Sequence, residues 1–253
     1  MSTAVLTRVP ASRARVVTLA AVSGLLILFG AIALGLVGLV TLFAARSLYS
    51  ALAAQLARLV LAIWRIRMVV HRDGPWHSRQ VVYISNHPST LDLFLLVALG
   101  LPRTRFFLSG YLKKYVPLGV IAWLMGTFFT VPQDRPAERV AIFQRAAREL
   151  RRTGESVYLS PEGTRVIDGR IGPFNKGAFH LAIAIGAPIV PIYFDIPPNV
   201  TPGLGYDARP GTVHVHVLPP IDTSAWRVED VALHKEHVRD MFVNWHGALR
   251  RSA

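Results

Sequence analysis

A long apolar run without charge dominates the first part of the chain. It extends from Val16 to Ala45 and as a helix would measure about 45 Å, against about 30 Å for the hydrocarbon core of a bilayer. After it, apolar residues recur every three or four positions, which is typical of an amphipathic helix. These residues are Leu48, Leu52, Leu56, Leu59, Ile63 and Ile66. The pattern predicts a membrane anchor over residues 1–70, with Trp64 at the interface.

Two geometries fit this anchor. It forms either one tilted span followed by an interfacial helix, or a hairpin that enters and leaves the same leaflet. Arginines bracket the segment on both sides, which favours the hairpin. Association with another membrane protein through the same apolar helices is the remaining interpretation. Glycines in the run, including Gly30 and Gly38, would permit close helix packing.

Short apolar runs and helical patterns alternate after a polar linker at residues 71–80. This alternation predicts a single mixed-sheet α/β domain with flanking helices over residues 71–253, preceded by the membrane-embedded helical segment. The predicted strands are Val81–Ser85, Arg105–Leu108, Thr127–Val131, Ser156–Leu159, Ile189–Phe194 and Thr212–Leu218. The predicted helices are Leu91–Leu99, Leu118–Met125, Pro136–Arg152, Lys176–Ile185 and Val228–Arg250.

Composition excludes several classes of site and of binding partner. The 253 residues include no Cys, which excludes a disulfide framework, a thiolate nucleophile and a cysteine zinc site. The formal charge of +13 indicates binding to anionic membrane lipids, in addition to the apolar anchor. Nucleic acid would also attract such a charge, but the sequence has no zinc-finger, RNA-recognition or helix-turn-helix signature, so we expect no nucleic-acid partner.

The strongest chemical signal is the segment Asn86-His87-Pro88-Ser89-Thr90-Leu91-Asp92, which lies between a predicted strand and a predicted helix. On one ideal helix, His87 and Asp92 would point about 140° apart. Pro88 disfavours a helical His87, and Ser89 or Thr90 can cap the following helix, so the chain can bend and bring the two side chains together. Asp92 would then orient a His87 general base. The alternative is a capping Asp beside a structural His.

Several later residues suit an anionic group. Ser160-Pro161-Glu162-Gly163-Thr164-Arg165 follows a strand, and Gly163 permits a positive φ while Arg165 matches a phosphate. Glu162 would hold main chain or Arg165, or accept a substrate hydroxyl. Arg135 directly precedes a predicted helix and Lys176 begins one, and an anion is favourable at both helix starts. The alternatives are an ordinary turn with an ion pair, and a local salt bridge from Arg135 to Asp134 or Glu138.

Two histidine pairs carry a weaker signal. His214 and His216 share a strand face, and His234 and His237 share a helix face. Neither pair has an evident third ligand in the sequence, so we predict no metal site.

In sequence order, these motifs resemble those of the 1-acylglycerol-3-phosphate acyltransferase family. The matching segments are Asn86-His87-x4-Asp92, the loop with Arg135, Pro161-Glu162-Gly163-Thr164-Arg165, Pro173-Phe174-Asn175-Lys176-Gly177 and Val190-Pro191-Ile192. The chain departs from the family pattern at Ser160 and Val166, and at Val131-Pro132-Gln133 before Asp134-Arg135. These departures lie near the expected headgroup site.

The resemblance implies a membrane-bound enzyme that moves a fatty acyl group from acyl-CoA or acyl carrier protein to a lysolipid acceptor, lysophosphatidic acid. It implies catalysis by His87 and Asp92, and acceptor binding by Arg135, Glu162, Gly163, Thr164, Arg165 and Lys176. No metal or other cofactor is expected, and the predicted location is the cytoplasmic face of the cell membrane. Two alternatives are the same chemistry on another acceptor (a lyso-ornithine lipid, another lysophospholipid or a glycolipid) and a non-enzymatic membrane-associated binding protein.

Overall fold

A computed structural model describes residues 12–252; residues 1–11 of the predicted anchor and residue 253 of the predicted domain lie outside this range. The helices are α1 (Arg13–Val40), α2 (Arg46–Ile63), α3 (Asp92–Leu99), α4 (Val116–Leu124), α5 (Pro136–Thr153), α6 (Gly177–Ile185) and α7 (Val231–Ser252). The strands are β1 (Ile66–His71), β2 (Val82–Ser85), β3 (Thr104–Ser109), β4 (Phe128–Thr130), β5 (Ser156–Leu159), β6 (Ile189–Asp195) and β7 (Gly211–Val217). A short 3-10 helix, Gly110–Lys114, follows β3.

The strands form one seven-stranded sheet in the order β1-β7-β6-β2-β5-β3-β4. Strands β6, β2, β5, β3 and β4 are mutually parallel, β1 is parallel to β7, and β6 and β7 are antiparallel. The mixed sheet with flanking helices confirms the predicted fold class. Because five neighbouring strands are parallel, their carboxyl ends share one edge of the sheet, where α/β folds place ligands.

Helices cover both faces of the sheet. Along β2, Tyr83 belongs to a core that includes residues of α1, α2, α3 and α4, whereas Val82 and Ile84 belong to a core with α5, α6 and α7. All four residues of β2 are buried. A strand buried on both faces reads as a continuous apolar run, which explains why this strand was recognisable without alternation.

Helices α1 and α2 form an antiparallel hairpin joined by residues 41–45. Trp64 Nε1 donates to Ser23 Oγ at 3.0 Å, and a Cβ at Gly30 would lie 2.6 Å from Leu56 Cδ2. Glycine thus permits the close approach. Among the described residues, α1 is the one helix long and apolar enough to cross a membrane: it has 28 residues, and its most apolar 18-residue stretch has a mean hydropathy of 2.5. How the hairpin enters the membrane stays a prediction.

The predicted amphipathic helix is present as α2. Leu56 and Ile63 of its predicted apolar face are partly buried against the core, but the other three leucines are not. Leu48, Leu52 and Leu59 are exposed, while Ala53 and Ala57 are buried on a helix that packs against α3. Small side chains allow two helix backbones to approach closely. The three exposed leucines therefore join the exposed apolar side chains of α1 on the surface.

Strand β1 is absent from the predicted elements, because Ile66 continues the helical spacing. The helix instead ends at Ile63, and Arg65 adopts a φ of 54° as the chain turns into β1. Trp64, predicted at the interface, is only 8% exposed. The predicted boundary between residues 70 and 71 falls inside β1, so the sheet begins directly after the hairpin.

Candidate active site

The side chain of Asn86 forms two hydrogen bonds to β6 and so extends the pairing of β2 with β6 past the end of β2. Asn86 Nδ2 donates to the carbonyl of Phe194 at 3.0 Å, and Asn86 Oδ1 accepts the Phe194 N–H at 2.8 Å. Asn86 is buried, so the loss of its amide would leave two buried main-chain groups without a partner. Asn86 therefore fixes the point at which the chain leaves the sheet, immediately before His87.

His87 and Asp92 meet at this edge. His87 Nδ1 lies 2.6 Å from Asp92 Oδ2, and their side chains are 26% and 4% exposed. Asp92 is the first residue of α3, and its Oδ2 also accepts the Ser89 N–H at 3.2 Å. An ionised carboxylate only accepts hydrogen bonds, so in the neutral imidazole Nδ1 carries the proton and Nε2 has the lone pair. The pairing expected from the sequence is present, and its catalytic role stays a prediction.

The main chain of His87 is held from both sides by the segment that contains Glu162. Glu162 Oε2 accepts the His87 N–H at 2.5 Å, and the Val166 N–H donates to the His87 carbonyl at 2.9 Å. Glu162 Oε1 accepts the Gly172 N–H at 2.7 Å. The Glu162 carboxylate thus links three segments. These are the turn that contains His87, the loop after β5 that contains Glu162 itself, and the loop with Gly172 that leads to α6.

The environment of Glu162 explains its role. Burial raises the pKa of this carboxyl, although the hydrogen bonds from the Gly172 and His87 main chain act in the opposite direction. Both carboxylate oxygens accept main-chain hydrogen bonds. Of the roles expected for Glu162, this geometry favours positioning of main chain over contact with a substrate hydroxyl.

Gly163 lies where three loops converge. Its φ is +71°, as the sequence predicts, and a Cβ there would lie 2.8 Å from Asn175 Nδ2 and 3.3 Å from Gln133 Nε2. Asn175 Nδ2 also donates to the carbonyls of Pro161 and Glu162, at 3.0 and 3.1 Å. The loop before Arg135 and the loop before α6 therefore both contact the loop at the end of β5.

The groups expected to bind an anion are exposed. Thr164, Arg165 and Lys176 all lie at the surface, with Lys176 directly before α6. Arg135 directly precedes α5, and its Nη1 lies 3.6 Å from Glu138 Oε1. That contact is the local salt bridge considered as the alternative. Anion binding by these four residues stays a prediction.

The predicted histidine pairs have different neighbours. His71 on β1 meets both histidines of β7, since its Nε2 lies 2.8 Å from His214 Nδ1 and its ring stacks on His216 at 4.6 Å. His234 stacks on Trp226 at 4.2 Å. Within residues 12–252, no group of three or more His, Cys, Asp or Glu is arranged to hold a metal ion.

Asn86 and Asn175 are the positioning residues that sequence reasoning missed, although both lie inside the quoted motifs. Each is a polar residue beside a chemical motif, at the end of a buried strand or just before a helix. An amide with a donor and an acceptor can satisfy main chain in irregular segments. An Asn at such a place in the sequence indicates a positioning residue, but it does not show which distant main-chain groups the amide bonds.

Comparison with known proteins agrees with this geometry. A model of the acyltransferase family matches residues 65–195. The 1-acyl-sn-glycerol-3-phosphate acyltransferase of Limnanthes alba is 30% identical over 187 residues, covering 72% of this chain and 65% of the relative. The alpha form of that enzyme from Homo sapiens is 31% identical over 162 residues, covering 64% of this chain and 57% of the relative. The chain thus spans less than two thirds of these relatives.

A solved structure shares the fold. It is the 1-acyl-sn-glycerophosphate acyltransferase PlsC from Thermotoga maritima, which matches with a TM-score of 0.65 and 18% identity over 90% of this chain and 97% of that one. The family model contains all of β2 to β6, including His87, Asp92, Glu162 and Gly163. On this match over more than half of its length, the chain belongs to the acyltransferase family.

Proposed function

We propose that this protein transfers a fatty acyl group from acyl-CoA or an acyl carrier protein thioester to the hydroxyl of lysophosphatidic acid, giving phosphatidic acid for phospholipid synthesis. The observation that carries the proposal is the 2.6 Å contact between His87 Nδ1 and Asp92 Oδ2 at the carboxyl edge of the sheet. The names of the relatives, which are 1-acyl-sn-glycerol-3-phosphate acyltransferases, support this choice of acceptor.

In the proposed mechanism, His87 Nε2 removes the proton from the acceptor hydroxyl as its oxygen attacks the thioester carbonyl. The buried Asp92 carboxylate stabilises the imidazolium that forms. Collapse of the tetrahedral intermediate breaks the carbon–sulfur bond and forms the ester, and the imidazolium returns its proton to the departing thiolate. The acyl thioester is a co-substrate, and the proposal requires no metal or other cofactor.

Positioning of the substrates and of His87 is the other contribution to the rate. A well-placed general base accelerates a reaction by about 10² to 10⁴, so alignment of the thioester and the hydroxyl must supply much of the remainder. The two main-chain hydrogen bonds on His87 hold the base in place before substrate arrives. This support from Glu162 and Val166 favours a base that is preorganised.

For the acceptor phosphate, we propose Arg135, Gly163, Thr164, Arg165 and Lys176. Three loops meet at Gly163, so residues far apart in sequence can surround one phosphate. The arginines offer planar forks that suit phosphate oxygens. Because Arg135 and Arg165 are exposed, they are accessible to a headgroup at the membrane surface.

The helical hairpin supports a membrane location. Its α1 helix exposes apolar side chains along much of its length, and both the acceptor and the product of the proposed reaction are lipids. Acyl thioesters are formed in the cytoplasm, so we infer that the domain lies on the cytoplasmic face, with anionic lipids around the basic surface.

The same chemistry on another acceptor is the second candidate. Arg135 contacts Glu138 instead of a buried partner that would fix it for phosphate, which is the observation that favours this alternative. A lyso-ornithine lipid, another lysophospholipid or a glycolipid would use the same base and the same donor.

The test is acceptor-dependent release of CoA thiol from palmitoyl-CoA and oleoyl-CoA by detergent-purified protein. Lysophosphatidic acid is compared with other lysolipids, and the intact chain with His87→Ala. A matched control is His77→Ala, because His77 lies in the linker after β1. We expect release that requires lysophosphatidic acid, is lost in His87→Ala and is retained in His77→Ala.

Other results discriminate between the alternatives. Release with a different lysolipid would replace the acceptor and keep the mechanism. If CoA thioesters give no signal, acyl carrier protein thioesters are tested next, and silence with both donors would support the non-enzymatic binding protein. Equal activity of His87→Ala and the intact chain would refute the proposed base.

A further inference from the structure

A second, strongly basic pocket lies beside β4, the edge strand of the sheet. Its walls come from the hairpin turn, the end of α4, β4 and one side of α5, and it is an open cleft of about 1230 Å³, a volume that includes solvent at its mouth. The cations that line it are Arg46, Arg105, Lys113 and Arg145. None of the residues proposed above for catalysis or acceptor binding is among its lining residues.

The basic end of this pocket lies at the opposite edge of the sheet from His87. His87 follows the carboxyl end of β2, whereas Arg105 is the second residue of β3 and Thr127 directly precedes β4. Strands β2, β5, β3 and β4 are mutually parallel, so their amino ends lie together at the other edge. A ligand in contact with Arg105 and Thr127 is therefore outside the catalytic site.

Positive charge in the pocket exceeds the charge of its neighbouring carboxylates. Arg46 Nη1 bonds both carboxylate oxygens of Glu155 at 2.8 Å. Arg105 Nη1 lies 3.5 Å from Glu149 Oε1 and 3.9 Å from Glu155 Oε2, but Glu149 also accepts a bond from Arg152. Two carboxylates thus face the four lining cations, and Arg145 is exposed on α5.

Two buried polar atoms in the pocket wall add an independent observation. Arg105 is only 8% exposed, and its Nη1 and the hydroxyl of Thr127 are buried without a hydrogen-bond partner among residues 12–252. Arg105 Nε donates to the Gly126 carbonyl at 2.6 Å, which fixes the direction of the guanidinium. Burial, followed by repulsion from Arg46, lowers the pKa of Arg105. An anion that accepts from both donors would give each of them a hydrogen bond.

The rim of the pocket is apolar. Phe43 in the hairpin turn and Trp123 on α4 pack edge to face at 5.5 Å and are 47% and 57% exposed. Exposed apolar residues continue from there along α1 and α4, among them Leu39, Val40 and Val120. A molecule that fits both parts has an anionic head and an apolar body, and aromatic side chains are typical of the membrane interface.

We propose that this pocket binds the phosphodiester headgroup of an anionic membrane phospholipid, with the acyl chains lying against Phe43, Trp123 and the hairpin. The headgroup accepts hydrogen bonds from Arg105 and Thr127, and Arg145 and Lys113 balance its charge. The site does not depend on the proposed catalytic function. It fixes one corner of the domain to the lipid surface while the carboxyl edge of the sheet remains available for reaction.

Native mass spectrometry of the full chain in detergent tests the proposal, with dioleoylphosphatidylglycerol compared against dioleoylphosphatidylcholine. Arg145→Gln removes one pocket charge, and Arg148→Gln is the matched control, because Arg148 is exposed on the same helix but does not line the pocket. We expect phosphatidylglycerol to bind about tenfold more weakly to Arg145→Gln, because one of the cations that balance the headgroup charge is lost. Binding to Arg148→Gln should match the intact chain.

Thr127→Val tests the buried hydroxyl separately. Without lipid, this variant should be at least as stable as the intact chain, because a buried hydroxyl without a partner is removed. With phosphatidylglycerol, its rise in melting temperature should be smaller than that of the intact chain.

Three results would overturn the proposal. The first is equal binding of phosphatidylglycerol and phosphatidylcholine, and the second is an equal loss in Arg145→Gln and Arg148→Gln. The third is displacement of phosphatidylglycerol by equimolar glycerol 3-phosphate or CoA, which would assign the pocket to a soluble phosphate compound.

Discussion

Replacing Glu162 by Gln tests the idea that one buried carboxylate holds the catalytic turn. The carboxylate accepts the His87 N–H at 2.5 Å and the Gly172 N–H at 2.7 Å. A Gln amide has one oxygen, so it can accept only one of these bonds, and its NH₂ group would face the other donor. Loss of a hydrogen bond to a charged group costs about 1.5 to 3 kcal/mol, and an unsatisfied buried donor adds about 1 to 3 kcal/mol.

Part of this cost is offset, because Gln carries no charge to bury and burial raises the pKa of Glu162. We therefore expect the free energy of unfolding to fall by about 2 kcal/mol, which corresponds to a decrease of about 4 to 8 °C in Tm for a domain of this size. The His87 main chain loses one of its two supports, so kcat should fall while KM for the donor changes little.

Thermal unfolding and initial rates of CoA release measure the two effects. Glu229→Gln is the control for the same chemical change, since Glu229 is exposed before α7. If Glu162→Gln unfolds at the temperature of the intact chain and retains its kcat, the carboxylate does not hold the turn, and the role assigned to Glu162 is wrong.

The same geometry leads to three more expected outcomes. Asp92→Asn should lower kcat by about 10² to 10⁴ with little change in acceptor KM, because the Nδ1 proton and the imidazolium lose their partner; initial rates measure this. The folded state holds the Glu162 proton more tightly than the unfolded state, so the free energy of unfolding should fall as pH rises from the usual carboxyl range through the raised pKa. Glu162→Gln should remove that part of the pH profile in urea titrations. Gly30→Ile should destabilise the hairpin by about 1 to 3 kcal/mol, because its Cβ would lie 2.6 Å from Leu56, whereas Gly24→Ile has open space; unfolding midpoints of the two variants should differ accordingly.

Local patterns predicted most elements of the α/β domain. Strands buried on both faces, such as β2 and β6, read as apolar runs, and glycines at the left-handed ends of α3, α5 and α6 mark where those helices stop. Strand β1 was not predicted, because its first apolar residue, Ile66, continues the three-to-four-residue spacing of the helix before it. Its partner β7 lies far along the chain, and pairing at such a distance leaves no local signal.

The anchor illustrates a second limit. A leucine stripe and an alanine stripe on α2 are both apolar, so periodicity alone identifies a helix without showing which face is buried. Burial of the side that includes Ala53 and Ala57 follows from the close approach of α3, a tertiary property. Leu48 and Leu59 remain outside, where a lipid environment, not a protein core, would accept them.

The candidate site also has one part that the sequence predicts and one part that only the folded structure shows. Its turn was predictable, because Pro88 and the spacing of His87 and Asp92 are local. The partner of Asn86 and the two main-chain hydrogen bonds of Glu162 join segments distant in sequence, and only the assembled sheet brings them together. The sequence thus identifies Glu162 as a motif residue, but it does not show that the Glu162 carboxylate accepts hydrogen bonds from main-chain N–H groups.

The pairing of β1 with β7 has a consequence for folding. Ile66 pairs with Gly211, so the strand that follows the α1–α2 hairpin is paired only after the chain has been made beyond the family-matched region. Contacts this distant in sequence slow folding, because a large loop must close first. The membrane contact proposed for the hairpin can therefore form during synthesis well before the sheet is complete. A chain that ends near Asp195 would keep the motifs but lack β7, which would leave β1 without a sheet partner and β6 as an open edge prone to aggregation.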